Sequence, residues 1–404
     1  MKFIEKGVCA PKGFLANGIH CGIRKNKSKK DLAIIFSLNP CKACAVFTKN
    51  KVCGAPVQLS KDNLKNNLAQ AVLCNSGIAN TCAADGLQKA EDMCAFAAKS
   101  LNIKSEDIII ASTGVIGKSI NISPIKENMN VLISGMNTNG SEDASLAIMT
   151  TDTVNKQAAV EFEIDDKICR IGGISKGSGM IAPNMATMLC FLTTDVNIET
   201  RLLDSALKTV TQETFNMLSI DGDTSTNDTV SIMANGGAGN KCIDDYDKNY
   251  EIFLEALREL CINLVCKMAS DGEGATKLLI AKVINAHNTD AARKVAKSVI
   301  SSDLVKTAMF GKDANWGRVL CAVGYSDADV DVSKIDLSFK SEYGEMKLCE
   351  NGYGISFSED VASKILSSDK IDIILNLKDG ESYATAYGCD LTYDYIKING
   401  DYRT

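Results

Sequence analysis

Residues 176–195 read KGSGMIAPNMATMLCFLTTD, a glycine-containing turn that leads into an apolar run. The pattern predicts a strand over 187–192, which begins at Thr187 directly after the small residue Ala186. A threonine hydroxyl is a weak nucleophile unless a base lies within hydrogen-bonding distance. Cleavage between Ala186 and Thr187 would create such a base, because an α-amine has a pKa of about 7.7 to 8.0 in reference peptides. Thr187 is therefore our candidate for a self-released N-terminal nucleophile, and an ordinary strand threonine is the alternative interpretation.

Histidine is scarce in this chain, which contains only His20 and His287. A Ser/His or Cys/His arrangement would therefore have few bases to draw on. This scarcity favours a nucleophile that carries its own base.

The rest of the chain alternates short β-branched runs with helical patterns, which predicts an α/β or α+β protein. A soft domain boundary is expected between about 280 and 310. The predicted strands are 32–38, 71–74, 107–111, 187–192, 229–233, 276–286, 335–339, 371–377 and 382–398. The predicted helices are 88–101, 125–135, 199–215, 247–270, 289–300, one after Asn315, and 359–366.

Length and charge restrict the class of protein. A chain of 404 residues that is 45% hydrophobic can form two or three domains with ample cores. Its net charge is −6 and no stretch concentrates the basic residues, so nucleic acid and anionic membrane surfaces are not expected as partners. The first residues lack the apolar core of a signal peptide, and no run is long enough to span a membrane. We expect a cytoplasmic protein.

Cysteines and short motifs give no cofactor site. The sixteen cysteines are scattered, which favours reduced, mostly buried thiols. Cys41 and Cys44 have CxxC spacing, but no second pair lies at the distance of a zinc site, so no metal is expected. The segment 176–178 has the residues of a phosphate loop in the wrong order. Asp221, Asp223 and Asp228 depart from calcium-loop spacing, so a hydrogen-bonded turn that braces the site is favoured over a cation site.

Long motifs along essentially the whole chain carry a family resemblance. Besides 176–195 they are CNSG (74–77), STGVIG (112–117), MTTDT (149–153), DGDTSTNDT (221–229), DGEGATK (271–277), NWGR (315–318) and the final DYRT (401–404). In these motifs the chain resembles the ArgJ family, the ornithine acetyltransferases of the cyclic arginine pathway. Ile78 and Gly400 are small departures from the family pattern, and neither affects the expected chemistry.

The resemblance implies a two-domain α/β architecture with sheets layered against helices, as in the related DmpA-like proteins. It implies self-cleavage into residues 1–186 and 187–404, with two copies of each fragment forming a heterotetramer. The implied activity is ping-pong transfer of an acetyl group from N-acetylornithine to glutamate through an acetyl-Thr187 intermediate, without a cofactor. Acetyl-CoA as a second donor is left open. A self-processing amidohydrolase or aminopeptidase is the alternative, and a non-catalytic metabolite-binding protein is a third reading.

The resemblance also assigns residues to roles. It implies that Thr113 and Gly114 form an oxyanion hole. The alternative is that these two residues only form a strand-to-helix turn. It implies that the substrate contacts are Thr150, Lys176, Thr187, Glu273, Asn399 and Thr404. A lysine suits an α-carboxylate and a glutamate suits the ammonium of ornithine, although charged residues in glycine-rich segments are often only solvated.

Overall fold

The computed structural model describes residues 1–181 and 188–401, and within these ranges the chain forms two compact units. The first unit comprises residues 1–177, 188–212 and 224–264. The second comprises 178–181, 213–223 and 265–401. Residues 280–310, where the sequence predicts a soft boundary, lie within the second unit. The predicted cleavage site at Ala186 and Thr187 lies outside the described residues, as does Thr404.

The described residues contain 16 strands and 11 α-helices. The strands are β1 (Lys2–Ile4), β2 (Phe14–Ile19), β3 (Leu32–Phe47), β4 (Leu68–Ile78), β5 (Ile108–Val115), β6 (Lys156–Ile164), β7 (Lys167–Lys176), β8 (Leu189–Thr194), β9 (Leu218–Ser219), β10 (Thr229–Ala234), β11 (Leu278–Ala286), β12 (Asp336–Ser341), β13 (Gly344–Glu350), β14 (Tyr353–Gly354), β15 (Lys370–Asn376) and β16 (Ser382–Cys389). The helices are α1 (Ala55–Asn63), α2 (Gly86–Leu101), α3 (Ser123–Ser134), α4 (Ser141–Ile148), α5 (Thr200–Glu213), α6 (Lys248–Ser270), α7 (Thr289–Ser301), α8 (Asp303–Phe310), α9 (Trp316–Gly324), α10 (Glu359–Ile365) and α11 (Tyr393–Asp401).

The first unit is built on a nine-stranded mixed sheet. Its order is β1-β6-β7-β8-β10-β3-β4-β5, and β2 pairs with β3. The pairs β8–β10 and β4–β5 are parallel, whereas the other pairs are antiparallel. Alternating side chains of β5 point to opposite faces of the sheet. Ile108 and Ile110 pack with residues of α2 and α3, whereas Ile109 and Ala111 pack with residues of α4. Helices therefore cover both faces, which explains the apolar character of β5 along its buried part.

The second unit has a seven-stranded sheet in the order β14-β13-β12-β15-β11-β16-β9. Helix α7 packs on β11 and β16. It begins after Asn288, whose side chain accepts a hydrogen bond from the backbone N–H of Ala291 at 2.8 Å. Its buried face includes Ala292, Val295 and Val299, at the three- and four-residue steps of an amphipathic helix.

The mixed α/β class predicted from the sequence is confirmed, and every predicted helix overlaps an observed one. The predicted strand 382–398 is wrong beyond Cys389, because the chain turns there and continues as α11. Asp390 accepts the backbone N–H groups of Thr276 and Lys277 at 2.8 and 2.9 Å, and these bonds fix the turn. The alternating apolar residues after it suggested a strand, yet α11 has no buried residue.

The helices and the CxxC pair bear on two expectations from the sequence, the absence of a membrane span and of a metal site. Within 1–181 and 188–401, no helix is both long enough and apolar enough to cross a membrane. Cys41 and Cys44 both lie on β3, three positions apart, so their side chains point to opposite faces of the sheet. The CxxC spacing therefore does not bring the two thiols together.

Candidate active site

The ends of the parallel strands β4 and β5 bring two glycine backbones into close contact. Gly77 is paired with Gly114, which has a φ of +126°. A Cβ atom at Gly114 would lie 2.3 Å from the carbonyl carbon of Gly77, far closer than atoms pack in proteins. Only glycine fits at position 114, because the space that a side chain needs is occupied by backbone. The predicted oxyanion segment, Thr113 and Gly114, thus lies at a strand end whose backbone is closely constrained.

Side-chain hydrogen bonds fix the residue before this segment. The hydroxyl of Ser112 donates to Oδ1 of Asn75 at 2.6 Å. The amide of Asn227 donates to the carbonyls of Ser112 and Ala79, at 2.9 and 2.6 Å. These buried bonds hold the end of β5, so the backbone leading to Thr113 has little freedom to move.

Lys176 ends β7 and reaches this strand end. Its Nζ donates to Oγ1 of Thr113 at 3.3 Å, and the residue is only 8% exposed. Burial lowers the pKa of Lys176 from its ordinary value, while the nearby Asp152 carboxylate opposes that shift. A buried ammonium beside a candidate oxyanion segment can attract the carboxylate of a small substrate.

Asp152 holds the backbone of Thr150, a predicted substrate residue, and of Gly177, which follows the predicted substrate residue Lys176. Its Oδ1 accepts the Lys156 ammonium at 2.6 Å and the backbone N–H of Gly177 at 2.7 Å. Its Oδ2 accepts the backbone N–H of Thr150 at 2.9 Å. Burial opposes ionisation of this carboxyl, but the ammonium groups of Lys176 and Lys156 hold the pKa of Asp152 well below its usual range. The carboxylate is therefore charged, and it holds the backbone at Thr150 and at Gly177.

A second carboxyl, Asp228, lies beside the downstream neighbour of Thr187. The backbone N–H of Met188 donates to the Asp228 carboxyl, and the backbone N–H of Thr229 donates to the Met188 carbonyl at 3.0 Å. Asp228 is 2% exposed, and burial raises the pKa of its carboxyl well above the usual range. Its Oδ2 has no hydrogen-bond partner among the described residues. These observations favour a neutral carboxylic acid at this position.

In the second unit, Asp221 holds the segment that precedes the predicted cleavage site. Its carboxylate accepts the backbone N–H groups of Met180 at 2.5 Å and Ile181 at 2.7 Å. Met180 has a φ of +56°, a left-handed conformation that is rare for a non-glycine residue. The two hydrogen bonds maintain this conformation. They also agree with the predicted bracing role of this acidic turn.

Glu273 and Asn399 meet within the second unit. The amide of Asn399 on α11 donates to Oε2 of Glu273 at 2.8 Å. The backbone N–H of Glu273 donates to the carbonyl of Ser178 at 2.8 Å. A Cβ at Gly179 would lie 2.4 Å from Oε2 of Glu273, so the Glu273 carboxylate occupies space that any other side chain at position 179 would need. Helix α11, which the sequence pattern predicted to be a strand, therefore positions the predicted substrate residue Glu273.

The predicted site residues fall into two groups. Thr113, Gly114, Thr150 and Lys176 belong to the first unit, where direct contacts or the bonds of Asp152 connect Thr113, Thr150 and Lys176. Glu273 and Asn399 contact each other in the second unit. Ala186, Thr187 and Thr404 lie outside the described residues.

Sequence reasoning did not single out Asp152, Lys156 or Asn227. Asp152 and Asn227 stand in motifs that carried the resemblance. A charged residue inside a motif of small and polar residues was the available signal. Among the residues that the structure describes, no group of three or more His, Cys, Asp or Glu side chains is arranged to hold a metal ion.

Comparison with known proteins decides the family. The model of the ArgJ family matches residues 15–404. The chain belongs to the ArgJ family. It is 47% identical to the arginine biosynthesis bifunctional protein ArgJ of Caldanaerobacter subterraneus subsp. tengcongensis, with 100% of both chains covered. It is 44% identical to the ArgJ protein of Bacillus subtilis over 98% of this chain and 96% of that one.

A solved structure gives the same assignment. The crystal structure of ArgJ from Bacillus halodurans is 44% identical, with a TM-score of 0.51. It covers 54% of this chain and 100% of the crystallised chain. The ornithine acetyltransferase of Mycobacterium tuberculosis, crystallised with ornithine, is 33% identical and covers 46% of this chain and 99% of its own, with a TM-score of 0.43. As a member of the ArgJ family, the protein is an acyltransferase of arginine biosynthesis.

Proposed function

We propose that this ArgJ-family enzyme transfers the acetyl group of N-acetylornithine to glutamate in the cytoplasm, through an ester on Thr187. The observation that carries this proposal is the buried ammonium of Lys176, 3.3 Å from Oγ1 of Thr113 at the constrained end of β5. An ammonium in this position is suited to bind a carboxylate, and it lies next to the backbone segment that we propose stabilises an oxyanion. Both proposed substrates are amino acids with an α-carboxylate.

The first step is self-cleavage between Ala186 and Thr187. The Thr187 hydroxyl attacks the Ala186 carbonyl, the acyl group moves from nitrogen to oxygen, and water hydrolyses the ester. The products are a carboxylate on Ala186 and a free α-amine on Thr187. The crystallised B. halodurans chain supports this step, since its whole length covers 54% of this chain. Residues 187–404 are 218 of 404 residues, which is the same share.

The transfer then runs in two halves. In the first, Thr187 Oγ attacks the acetyl carbonyl of N-acetylornithine, and the α-amine accepts the hydroxyl proton and delivers it to the departing nitrogen of ornithine. In the second, the glutamate amine attacks the acetyl ester, and its proton returns through the α-amine to Thr187 Oγ. Backbone groups of Thr113 and Gly114 would stabilise the oxyanion in each half.

Charge complementarity supports the substrate contacts. Lys176 is proposed to pair with the α-carboxylate and Glu273 with the side-chain ammonium of ornithine. Asn399 supports the latter role, because its amide holds Oε2 of Glu273 at 2.8 Å. Thr150 and Thr404 are proposed to donate neutral hydrogen bonds.

Two finer points complete the proposal. The fragments are proposed to remain associated, with two copies of each in the assembly, which the molar mass of the purified enzyme in solution would test. Acetyl-CoA is proposed as a second donor for glutamate, because the relatives described above are named bifunctional.

One experiment tests the central claim. Purified enzyme is incubated with N-acetylornithine, with and without glutamate, and ornithine release is followed. A transferase releases ornithine continuously only when glutamate is present. An amidohydrolase releases it at the same rate without glutamate, since water is the acceptor, and that result would overturn the proposal. A parallel incubation of acetyl-CoA with glutamate tests the second donor.

A further inference from the structure

The buried pair of Asp152 and Lys156 has no role in the proposed chemistry, yet it contacts the site on two sides. Both side chains have an exposed fraction of 0%, and their charged atoms are 2.6 Å apart. One carboxylate oxygen of Asp152 holds the backbone of Thr150, and the other holds the backbone of Gly177, which follows Lys176. The carboxylate thus fixes the backbone at or next to two proposed substrate contacts.

Among the residues that the structure describes, four titratable groups act on the charge of Lys176. They are Asp152 from the segment before β6, Lys156 at the start of β6, Asp228 before β10 and Cys74 on β4. Burial raises the pKa of the Asp228 carboxyl and of the Cys74 thiol, so their neutral forms are favoured. Of these four groups, Asp152 is then the negative one that favours the charged form of Lys176. A bound carboxylate would bring a second negative charge to these two lysines.

We propose that Asp152 is a positioning residue for substrate carboxylate recognition, which keeps Lys176 charged and directed at the α-carboxylate of the amino-acid substrates. This inference rests on the proposed function, since it assumes that Lys176 binds that carboxylate. It assigns a specificity role to an ion pair that could otherwise only stabilise the fold. A purely structural pair would affect all substrates equally, whereas a positioning pair affects those that carry the carboxylate.

The test compares two acetyl donors that differ by one group. N-acetylornithine carries the α-carboxylate, and N-acetyl-1,4-diaminobutane is the same molecule without it. The quantity measured is kcat/KM for the acylation half-reaction, followed by release of ornithine or diaminobutane from the self-cleaved enzyme. In D152N the side chain keeps its shape, but it loses its charge and one of the two oxygens that accept backbone N–H groups. We expect kcat/KM for N-acetylornithine to fall roughly 10- to 100-fold more than for N-acetyl-1,4-diaminobutane, the range set by a hydrogen bond to a charged group.

A second variant keeps the test decisive if D152N folds poorly. D152N leaves Lys156 buried without its carboxylate, which is destabilising, whereas D152N/K156Q removes both charges together. The double variant still deprives Lys176 of Asp152, but it also removes the Lys156 charge that lowers the pKa of Lys176, so we expect a selective loss in the same direction and smaller than in D152N. D195N is the matched control, because Asp195 is a fully buried carboxyl that also accepts two backbone N–H groups, from Lys12 and Arg170. It should change both donors by the same factor.

Equal losses for the two donors in D152N and D152N/K156Q, or no loss, would overturn the positioning role. A wild-type enzyme that releases no ornithine from N-acetylornithine would instead refute the proposed function. The two failures are therefore distinguishable in one set of assays.

Discussion

Replacing Gly114 by alanine tests whether the close approach of β4 and β5 matters for both folding and chemistry. The new Cβ would lie 2.3, 2.5 and 2.8 Å from the C, O and Cα atoms of Gly77. All three are backbone atoms, so no flexible side chain can move away. The φ of +126° adds strain for any L-residue, about 1 to 3 kcal/mol, and forced displacement of packed atoms adds a further 1 to 3 kcal/mol or so. We therefore expect G114A to lower the free energy of unfolding by about 2 to 6 kcal/mol.

The same substitution should impair catalysis. Moving the strand ends apart displaces the backbone groups proposed to stabilise the oxyanion, and loss of one such donor costs on the order of 100- to 1,000-fold in kcat. Because self-cleavage needs the same groups, uncut precursor should accumulate as well. The assays are urea denaturation, a denaturing gel of fresh protein, and the rate of ornithine release.

Gly117 supplies the matched control. It has a φ of +80°, but a Cβ there would meet no heavy atom of the described residues within 4 Å. G117A should therefore show the backbone strain alone, about 1 to 3 kcal/mol, with near-normal cleavage and transfer. If G114A were as stable and as active as G117A, the argument from the Gly77–Gly114 contact would be wrong.

Three further predictions concern the nucleophile and the tail. Thr187→Ala should abolish self-cleavage and transfer, whereas Thr187→Ser should retain part of each activity. The intact mass of the wild type should show fragments 1–186 and 187–404, and a wild type that is entirely full-length would contradict self-cleavage. The transfer rate should rise with pH through the folded-state pKa of the Thr187 α-amine, because protonation below that pKa removes the base; a rate that is flat from about pH 6 to 9, with chemistry rate-limiting, would exclude an amine base that titrates near pH 8. Deleting residues 402–404 should leave self-cleavage largely intact but lower kcat/KM for N-acetylornithine on the order of 100-fold, because the substrate loses a positioning contact; wild-type kinetics in the cleaved, truncated enzyme would argue against a docked tail.

Local sequence patterns predicted many elements correctly because their causes are local. Helix α7 could be predicted from an apolar face at three- and four-residue steps, and its capping residue Asn288 stands directly before it. The alternation after Cys389 misled for the opposite reason. Leu391, Tyr393 and Tyr395 alternate with polar residues and could fit a strand, but the turn at Asp390 depends on backbone groups more than a hundred residues earlier in the chain.

The sequence by itself determined the ArgJ family, the mixed α/β class and the candidate residues, because long motifs and residue chemistry can be read without coordinates. Only the tertiary structure decided which of those residues meet. Lys176 reaches Thr113 across 63 positions of sequence, and Asp152 holds Gly177 across 25. These contacts depend on the order of the strands and on the close approach of Gly77 to Gly114. Pairing between segments that are distant in sequence determines both. No local pattern encodes such distances, because packing brings distant residues together only when the whole sheet forms.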